Sequence, residues 1–358
     1  MQLKDFDFPF DERLIATQPA DPRHSAKLLH VHGADIIHRK MLDFADMLQD
    51  GDCLVINNTK VIKARLYGHL TSPGKSASIE ATLHKYIAYE NDKVIYSAFV
   101  RGAKKLKAGD TLSFDGLEGS LSAEVTDKNP VTGEVIFAFQ AKIEDFEIFL
   151  DQAGTMPLPP YIASKRAADR SDEENYQAIF AKYPGSVAAP TASLHFDDIL
   201  LEKIQRKNIT FAEVTLHISG GTFLPVKTED IHDHIMHSEK AILTEQTADM
   251  INRTKEQGHR IIAIGTTALR TIESAATPDR RVIPYEEETN LFITPGYDIK
   301  IADLLLTNFH LPKSTLFMLV CAFAGTDIIQ KAYNIAQQEN YRFFSYGDAC
   351  LLHKGCGG

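Results

Sequence analysis

The chain has 358 residues, and thirty-eight Lys plus Arg against forty-eight Asp plus Glu leave a formal charge of -10. An apolar share of 44% and a charged share of 24% are those of ordinary globular chains and exclude disorder, collagen-like repeats and a disulfide scaffold. An acidic surface gives no long-range pull on nucleic acid, so a phosphate partner must be met by a local basic cluster.

The opening MQLKDFDFPFDERL carries acids where a secretory leader carries bases and an apolar run. The longest apolar stretch, Leu316 to Ala324, falls short of the ~20 residues that cross a bilayer. Cys53, Cys321, Cys350 and Cys356 form no C-x-x-C pair, which reads as reduced thiols. The expectation is a soluble, cytoplasmic, monomeric protein away from membranes.

From about Asp52 to Gln140 the chain breaks into short strands: CLVINN, VIKARLYGHL, SIEATLHKYI, KVIYSAFV, TLSFDG, LSAEVT and VIFAFQ. Ser78 through Leu83 alternates polar with apolar, the period of a half-buried strand. Asn129 through Gly133 is a hairpin signal. Together they predict a small antiparallel barrel. One of its turns holds Arg101, Lys104, Lys105 and Lys107 with no acid between, a candidate contact for a phosphate backbone or simply a solvated turn.

From about Ile143 helical periodicity alternates with short apolar strands. Asp197 can cap the helix DILLEKIQRK. ITFAEVTLHI reads as a strand, EKAILTEQTADMINRTKEQG as one long helix, RIIAIG as a strand, TTALRTIESAA as a helix, and NLFITPG and LLLTNF as strands. This alternation predicts a layered α/β domain made of residues 1–62 and 150–358, with the barrel, 63–149, inserted.

Six segments carry candidate chemistry. Gly265-Thr266-Thr267 ends a buried strand at a helix start, where amides and hydroxyls can hold an anion; an ordinary βα turn is the plainer alternative. His232, His234, His237 and Glu239 lie within eight residues, but lack the H-E-x-x-H spacing of a zinc helix. Two loops rich in small residues, GSVAAPTASLHF with His195 and LHISGGTF with His217, allow close approach to a ligand and each supply an imidazole. The run Thr307-Asn308-Phe309-His310-Leu311-Pro312-Lys313-Ser314 reads as a strand end with His310 and Lys313 exposed. Tyr341-Arg342-Phe343-Phe344-Ser345-Tyr346-Gly347-Asp348 suits stacking on a base, or else a terminal strand.

Taken together, GSVAAPTASLHF, LHISGGTFLPV, HIMHSE, AIGTTALRTIES, LLLTNFHLPKSTLFMLVCAFAG and YRFFSYGDACLL closely resemble the S-adenosylmethionine:tRNA ribosyltransferase-isomerases, the queuosine-biosynthesis enzymes of bacteria. The opening DFDFPFDERLIATQPADPRHSAKLL and GDCLVINNTKVIKARLYG match their N-terminal signatures, so the resemblance runs from about Phe6 to Leu352. It implies an α/β domain with an inserted barrel. It also implies transfer and isomerisation of the S-adenosylmethionine ribosyl group onto 7-aminomethyl-7-deazaguanine at the tRNA wobble position, giving epoxyqueuosine, adenine and methionine. The chain departs from the family pattern at His24 (Asp in the family) and Lys27 (Arg), and at Ser193 and Ser219 (both Gly).

That chemistry needs a base for a C–H beside the sulfonium, help for departing adenine, and an acceptor for the proton of the attacking amine. The sulfonium supplies the activation, so no cofactor or metal is expected. The resemblance and the residue types make His195, His217, His237, His310 and Asp348 the catalytic candidates, with Glu239 as a second orienting carboxylate. Gly265, Thr266, Thr267, Arg270, Asn308, Ser314, Arg342 and Tyr346 are the substrate-binding candidates. Arg101, Lys104, Lys105 and Lys107 would grip tRNA, with Lys165, Arg166 and Arg170 as the reserve cluster. Two other readings stand beside this one: a metal-dependent hydrolase on His232, His234, His237 and Glu239, and a non-catalytic RNA-binding protein.

Overall fold

The computed structural model describes every residue except 73, 75, 118, 130–132, 224–225 and 356–358, and leaves the side chains of 222 and 223 undescribed. Cys356 and part of the turn expected at 129–133 therefore lie outside the described residues. After short 3-10 turns come β1 (Lys27–His32), β2 (Asp35–Lys40), the one-turn α1 (Phe44–Met47) and β3 (Cys53–Asn57). β3 is apolar from Cys53 to Ile56 because both its faces are covered: Cys53 and Val55 enter one core, Leu54 and Ile56 the other. That is the pattern of a central strand in a helix-flanked sheet. The strand opens the run of short strands read from sequence and belongs to the main sheet, within residues 1–62 expected for the α/β domain. β4 (Thr59–Val61) leads out of it.

The barrel then forms from β5 (Arg65–Leu70), β6 (Ser78–Glu90), β7 (Lys93–Arg101), β8 (Thr111–Asp115), β9 (Ser120–Lys128) and β10 (Val135–Phe139). It closes antiparallel in the order β10-β7-β6-β5-β8-β9. Phe114, Phe137 and Phe139 fill its interior, and α2 (Ile143–Ala153) lays Phe146 and Leu150 onto the same core. Chain entry and exit meet at a neck, where the Arg65 N–H donates to Thr155 O at 3.2 Å and the Thr155 N–H to Arg65 O at 2.9 Å.

After the short α3 (Pro160–Ala163) and α4 (Asp172–Asn175), β11 (Tyr183–Ser186) pairs parallel with β4. α5 (Asp198–Gln205) is capped by Asp197, which accepts from the Leu200 N–H. There follow β12 (Thr210–Leu216), β13 (Glu239–Leu243), α6 (Glu245–Glu256), β14 (Ile261–Ile264), α7 (Thr266–Ser274), β15 (Tyr285–Thr289), β16 (Leu304–Asn308), α8 (Thr315–Ala324), α9 (Thr326–Gln338) and β17 (Ala349–His353).

Two sequence expectations fail here. The long helix expected from Glu239 is a strand followed by a helix, because Thr244 caps α6 by accepting from the Thr247 N–H. The strand expected at NLFITPG lies earlier, at the acid-rich Tyr285–Thr289, an edge strand whose carboxylates point to water. Charge on an exposed edge hides the apolar period but protects the edge from further pairing.

The nine-stranded sheet runs β15-β13-β12-β3-β14-β16-β17-β1-β2. Its centre, β12-β3-β14-β16, is parallel. Helices α6 to α9 contribute to the core on one face, and α1 and α5 to the core on the other. The apolar run noted at Leu316 is α8, with Phe317, Met318, Leu319, Val320, Cys321 and Phe323 buried; each such side chain is worth about 1.5–3 kcal/mol. No single described helix is long and apolar enough to cross a membrane. Among the described residues Cys53, Cys321 and Cys350 are free, buried thiols.

Candidate functional site

Open α/β sheets bind ligands beyond the carboxyl ends of their parallel strands, and here those ends are polar. Asn57 closes β3, and its amide donates to Leu216 O at 3.0 Å and to Thr267 Oγ1 at 3.2 Å, tying β12 to the start of α7. Gly265 links β14 to α7 at φ +93°, a conformation that a side chain would strain, and its N–H bonds to Leu306 O of β16 at 2.8 Å. The first amides of α7 thus face this edge without intrahelical acceptors.

A small, partly open cleft lies there. One wall is the small-residue strip Ala188-Ala189-Pro190-Thr191-Ala192. The others hold Tyr176, Glu239, Gly265, Thr266, Thr267, Arg270, Thr307, Asn308, His310 and Phe344. Arg270 sits one turn into α7 with 6% exposure; its Nη1 pairs with Glu239 and its Nε donates to Leu291 O at 3.1 Å. Its Nη2 is buried with no partner, as are Asn308 Oδ1 and Tyr176 Oη. Three such polar atoms on one small cleft make it the candidate site for ligand contacts, since such atoms are costly to bury unpaired.

His310 is buried, against the expectation of an exposed edge. Its Nε2 lies 2.9 Å from Thr307 Oγ1, its N–H donates to the Tyr333 hydroxyl, and desolvation lowers its pKa to about 3. It is a neutral imidazole at neutral pH. Phe344 holds φ at +76° and packs edge-on to Tyr161 at 4.1 Å. Such strain costs about 1–3 kcal/mol and is retained where a site needs it; Phe344 is among the residues that line the cleft.

Other expected site residues stand elsewhere. His195 is buried behind the wall, not on it, beside the Asn308 amide and near Asp348; desolvation lowers its pKa to about 4. His217 lies off the cleft with its Nδ1 2.8 Å from Thr59 Oγ1. His237 turns to the barrel, its ring 5.9 Å from that of His84. Asp348 is a clamp: it accepts from the Lys27 and Arg342 N–H groups and from the Arg342 guanidinium. That spends both Asp348 and Arg342 on the fold. Ser314 caps α8, accepting from the Phe317 N–H. Tyr346 is buried against Tyr176 and donates to Asp172. Tyr341 and Phe343 join the main core, leaving Phe344 to represent their run in the cleft.

The four departures are absorbed differently. His24 pairs with Asp197 at 2.6 Å, and Lys27 reaches Glu339 O at 2.7 Å beneath the Tyr341 ring. Neither Ser193 nor Ser219 is in the left-handed region, so neither strains the backbone; both hydroxyls are buried without a partner. The proposed hydrolase set is dispersed, because Glu239 is held by Arg270 and His232 is exposed.

Arg101, Lys104, Lys105 and Lys107 are exposed on the turn between β7 and β8, with Arg101 loosely paired to Glu80 at 3.6 Å. In the reserve cluster Arg166 is committed to buried Asp172 through two hydrogen bonds. Sequence reasoning missed Asn57, Tyr176 and the bend at Phe344. The paired amides Asn57-Asn58 closing an all-apolar strand were the legible signal; Tyr176 had none.

The family model for a queuosine biosynthesis protein matches residues 3–352. The S-adenosylmethionine:tRNA ribosyltransferase-isomerase of Methylocella silvestris is 48% identical over 358 residues, covering 99% of this chain and 98% of that one. That of Azorhizobium caulinodans is 49% identical over 359 residues, with 99% and 100% covered. The crystal structure of the S-adenosylmethionine tRNA ribosyltransferase of Thermotoga maritima is 34% identical, with 97% of this chain and 99% of that chain covered, at a TM-score of 0.52.

Proposed function

The chain belongs to the queuosine biosynthesis protein family of S-adenosylmethionine:tRNA ribosyltransferase-isomerases, a family of transferases, and on that premise we propose the reaction that its own cleft performs. It transfers and isomerises the ribosyl group of S-adenosylmethionine onto 7-aminomethyl-7-deazaguanine at the tRNA wobble position. Adenine and methionine leave, and the tRNA carries epoxyqueuosine. S-adenosylmethionine is spent as a substrate, and no resident cofactor is needed because the sulfonium carries its own activation. The reading takes the protein as a cytoplasmic monomer.

The observation that carries this reading is the buried Arg270–Glu239 pair on the cleft wall, with Arg270 Nη2 still unpartnered. S-adenosylmethionine presents a carboxylate, an ammonium and a sulfonium. A paired arginine and glutamate offers both signs in one place, so the carboxylate can take Nη2 while the cationic groups lie toward Glu239. Asn308 Oδ1 is free to accept from an amine or a ribose hydroxyl. The Ala188–Ala192 strip and Phe344 provide flat apolar surface for the adenosyl group. His310 is the imidazole that lines the cleft and is assigned the proton beside the sulfonium. The exposed basic turn of the barrel supplies the phosphate contacts that the acidic whole lacks.

The test is adenine release from S-adenosylmethionine, comparing tRNA bearing the deazaguanine precursor with unmodified tRNA. Release with the precursor alone is expected. Equal release from both, or from neither, overturns the proposed acceptor.

A further inference from the structure

We propose that His84, Glu134 and His237 form a divalent metal site of the zinc class that clasps the barrel to the α/β domain. His84 lies on β6, Glu134 immediately precedes β10, and His237 stands two residues before β13. A residue from the main domain thus meets two from the insertion. One ligand atom from each lies within 4.8 Å of the others. His84 Nε2 and Glu134 Oε1 are already 3.4 Å apart, which matches the edge of about 3.3 Å that metal–ligand bonds near 2.0–2.1 Å give a tetrahedron.

The surroundings are shaped for close approach of the rings. A Cβ on Gly221 would fall 2.7 Å from His237 Cγ, while one on Gly220 would meet His84 and Phe99 at ordinary contact distance. The missing side chain at Gly221 therefore lets the turn lie directly against the His237 ring. The other ring nitrogen of His84, Nδ1, is buried without a partner. The neighbouring cation does not oppose an ion: Lys85 is engaged by Glu288 of β15 and reaches Ser238 Oγ at 3.4 Å. His84 is buried while Glu134 and His237 are half-buried, so an ion can enter from the seam. Two imidazoles and a carboxylate are a borderline-soft set that suits zinc and leaves a fourth position for water.

This site is separate from the cleft and takes no part in the proposed reaction. It would fix the angle at which the barrel presents its basic turn. It is tested on the full chain stripped of metal by chelation, with Co²⁺ as a spectroscopic probe and Zn²⁺ as competitor. One equivalent of Co²⁺ with visible tetrahedral or five-coordinate bands, displaced by Zn²⁺, is expected. Zinc should also raise the melting temperature of the stripped protein. Because His84→Ala can disturb the barrel core, Glu134→Gln and His237→Asn are the deciding variants. Each should weaken binding by at least about tenfold and abolish the zinc-dependent rise in melting temperature. Binding without visible bands, or affinity unchanged in both variants, overturns the site.

Discussion

In the barrel the core is closed by Phe114, Phe137 and Phe139, and the cations ride outside on a turn. At the carboxyl edge of the α/β sheet, Tyr176, Arg270, Asn308 and His310 are instead buried around a cleft, three of them with an atom unmatched. A core of the first kind gains stability from every side chain it encloses. A site of the second kind gives some of it up, since each unmatched buried donor or acceptor costs about 1–3 kcal/mol until a ligand arrives. Chemistry is therefore sought at the sheet edge and the macromolecular grip on the barrel.

The sharpest way to break that division is at Arg270. Replacement by Ala removes the guanidinium that neutralises buried Glu239, and should cost about 3–5 kcal/mol of stability, read as a lowered urea midpoint. Arg270→Ala with Glu239→Gln should recover most of that stability without recovering affinity for S-adenosylmethionine. If the double variant binds normally, the pair is only a structural strut.

The histidines divide the same way, with His310 on the cleft and His195 behind it. His310→Ala should lower turnover about a hundredfold while circular dichroism stays native; wild-type turnover would remove it from the chemistry. His195 is expected to show itself in stability. Its folded pKa is about 4 against an ordinary 6.5, so below 6.5 the unfolded chain takes up a proton that the folded chain refuses. Its contribution is complete above pH 6.5 and is lost as pH falls toward 4. His195→Gln should thus flatten the stability curve by an amount of order 2 kcal/mol between about pH 7 and pH 5. An unchanged curve would mean that His195 is hydrated in solution.

Much of this was legible because β3, β14 and β16 are apolar runs that end in Asn57, Gly265 and Asn308. A strand buried on both faces writes itself into sequence, and so does the polar residue that stops it. What sequence could not supply was direction. His195, His310 and His237 look equivalent in sequence as candidate imidazoles, yet one faces the cleft, one its back and one the barrel. Asp348 and Arg342 were separate site candidates and are one clamp, because a carboxylate six residues from an arginine across a tight turn satisfies it locally. Glu239 looked like part of a histidine cluster, and its partner Arg270 comes from a helix thirty-one residues away.

The smallest expected effect on the fold is also the one that tests the barrel's half of the comparison. Lys104, Lys105 and Lys107 are exposed and Arg101 makes only a screened contact with Glu80, so removing the lysines costs little stability. Their effect should be on tRNA alone. The protein carries a net charge of -10, and long-range attraction cannot substitute for them. Each phosphate contact adds roughly 0.7 to 0.9 to the slope of log affinity against log salt. Replacing all three with Ala should flatten that slope by about two to three if each meets a phosphate, and raise the KM for tRNA. The KM for S-adenosylmethionine should not move, because the turn lies outside the cleft that Arg270 and Asn308 line. Arg166 cannot cover the loss, being bound to Asp172. A slope unchanged in the triple variant would place the grip elsewhere and leave the barrel turn as solvated surface. A slope that flattens together with a raised KM for S-adenosylmethionine would mean that the two regions are not independent.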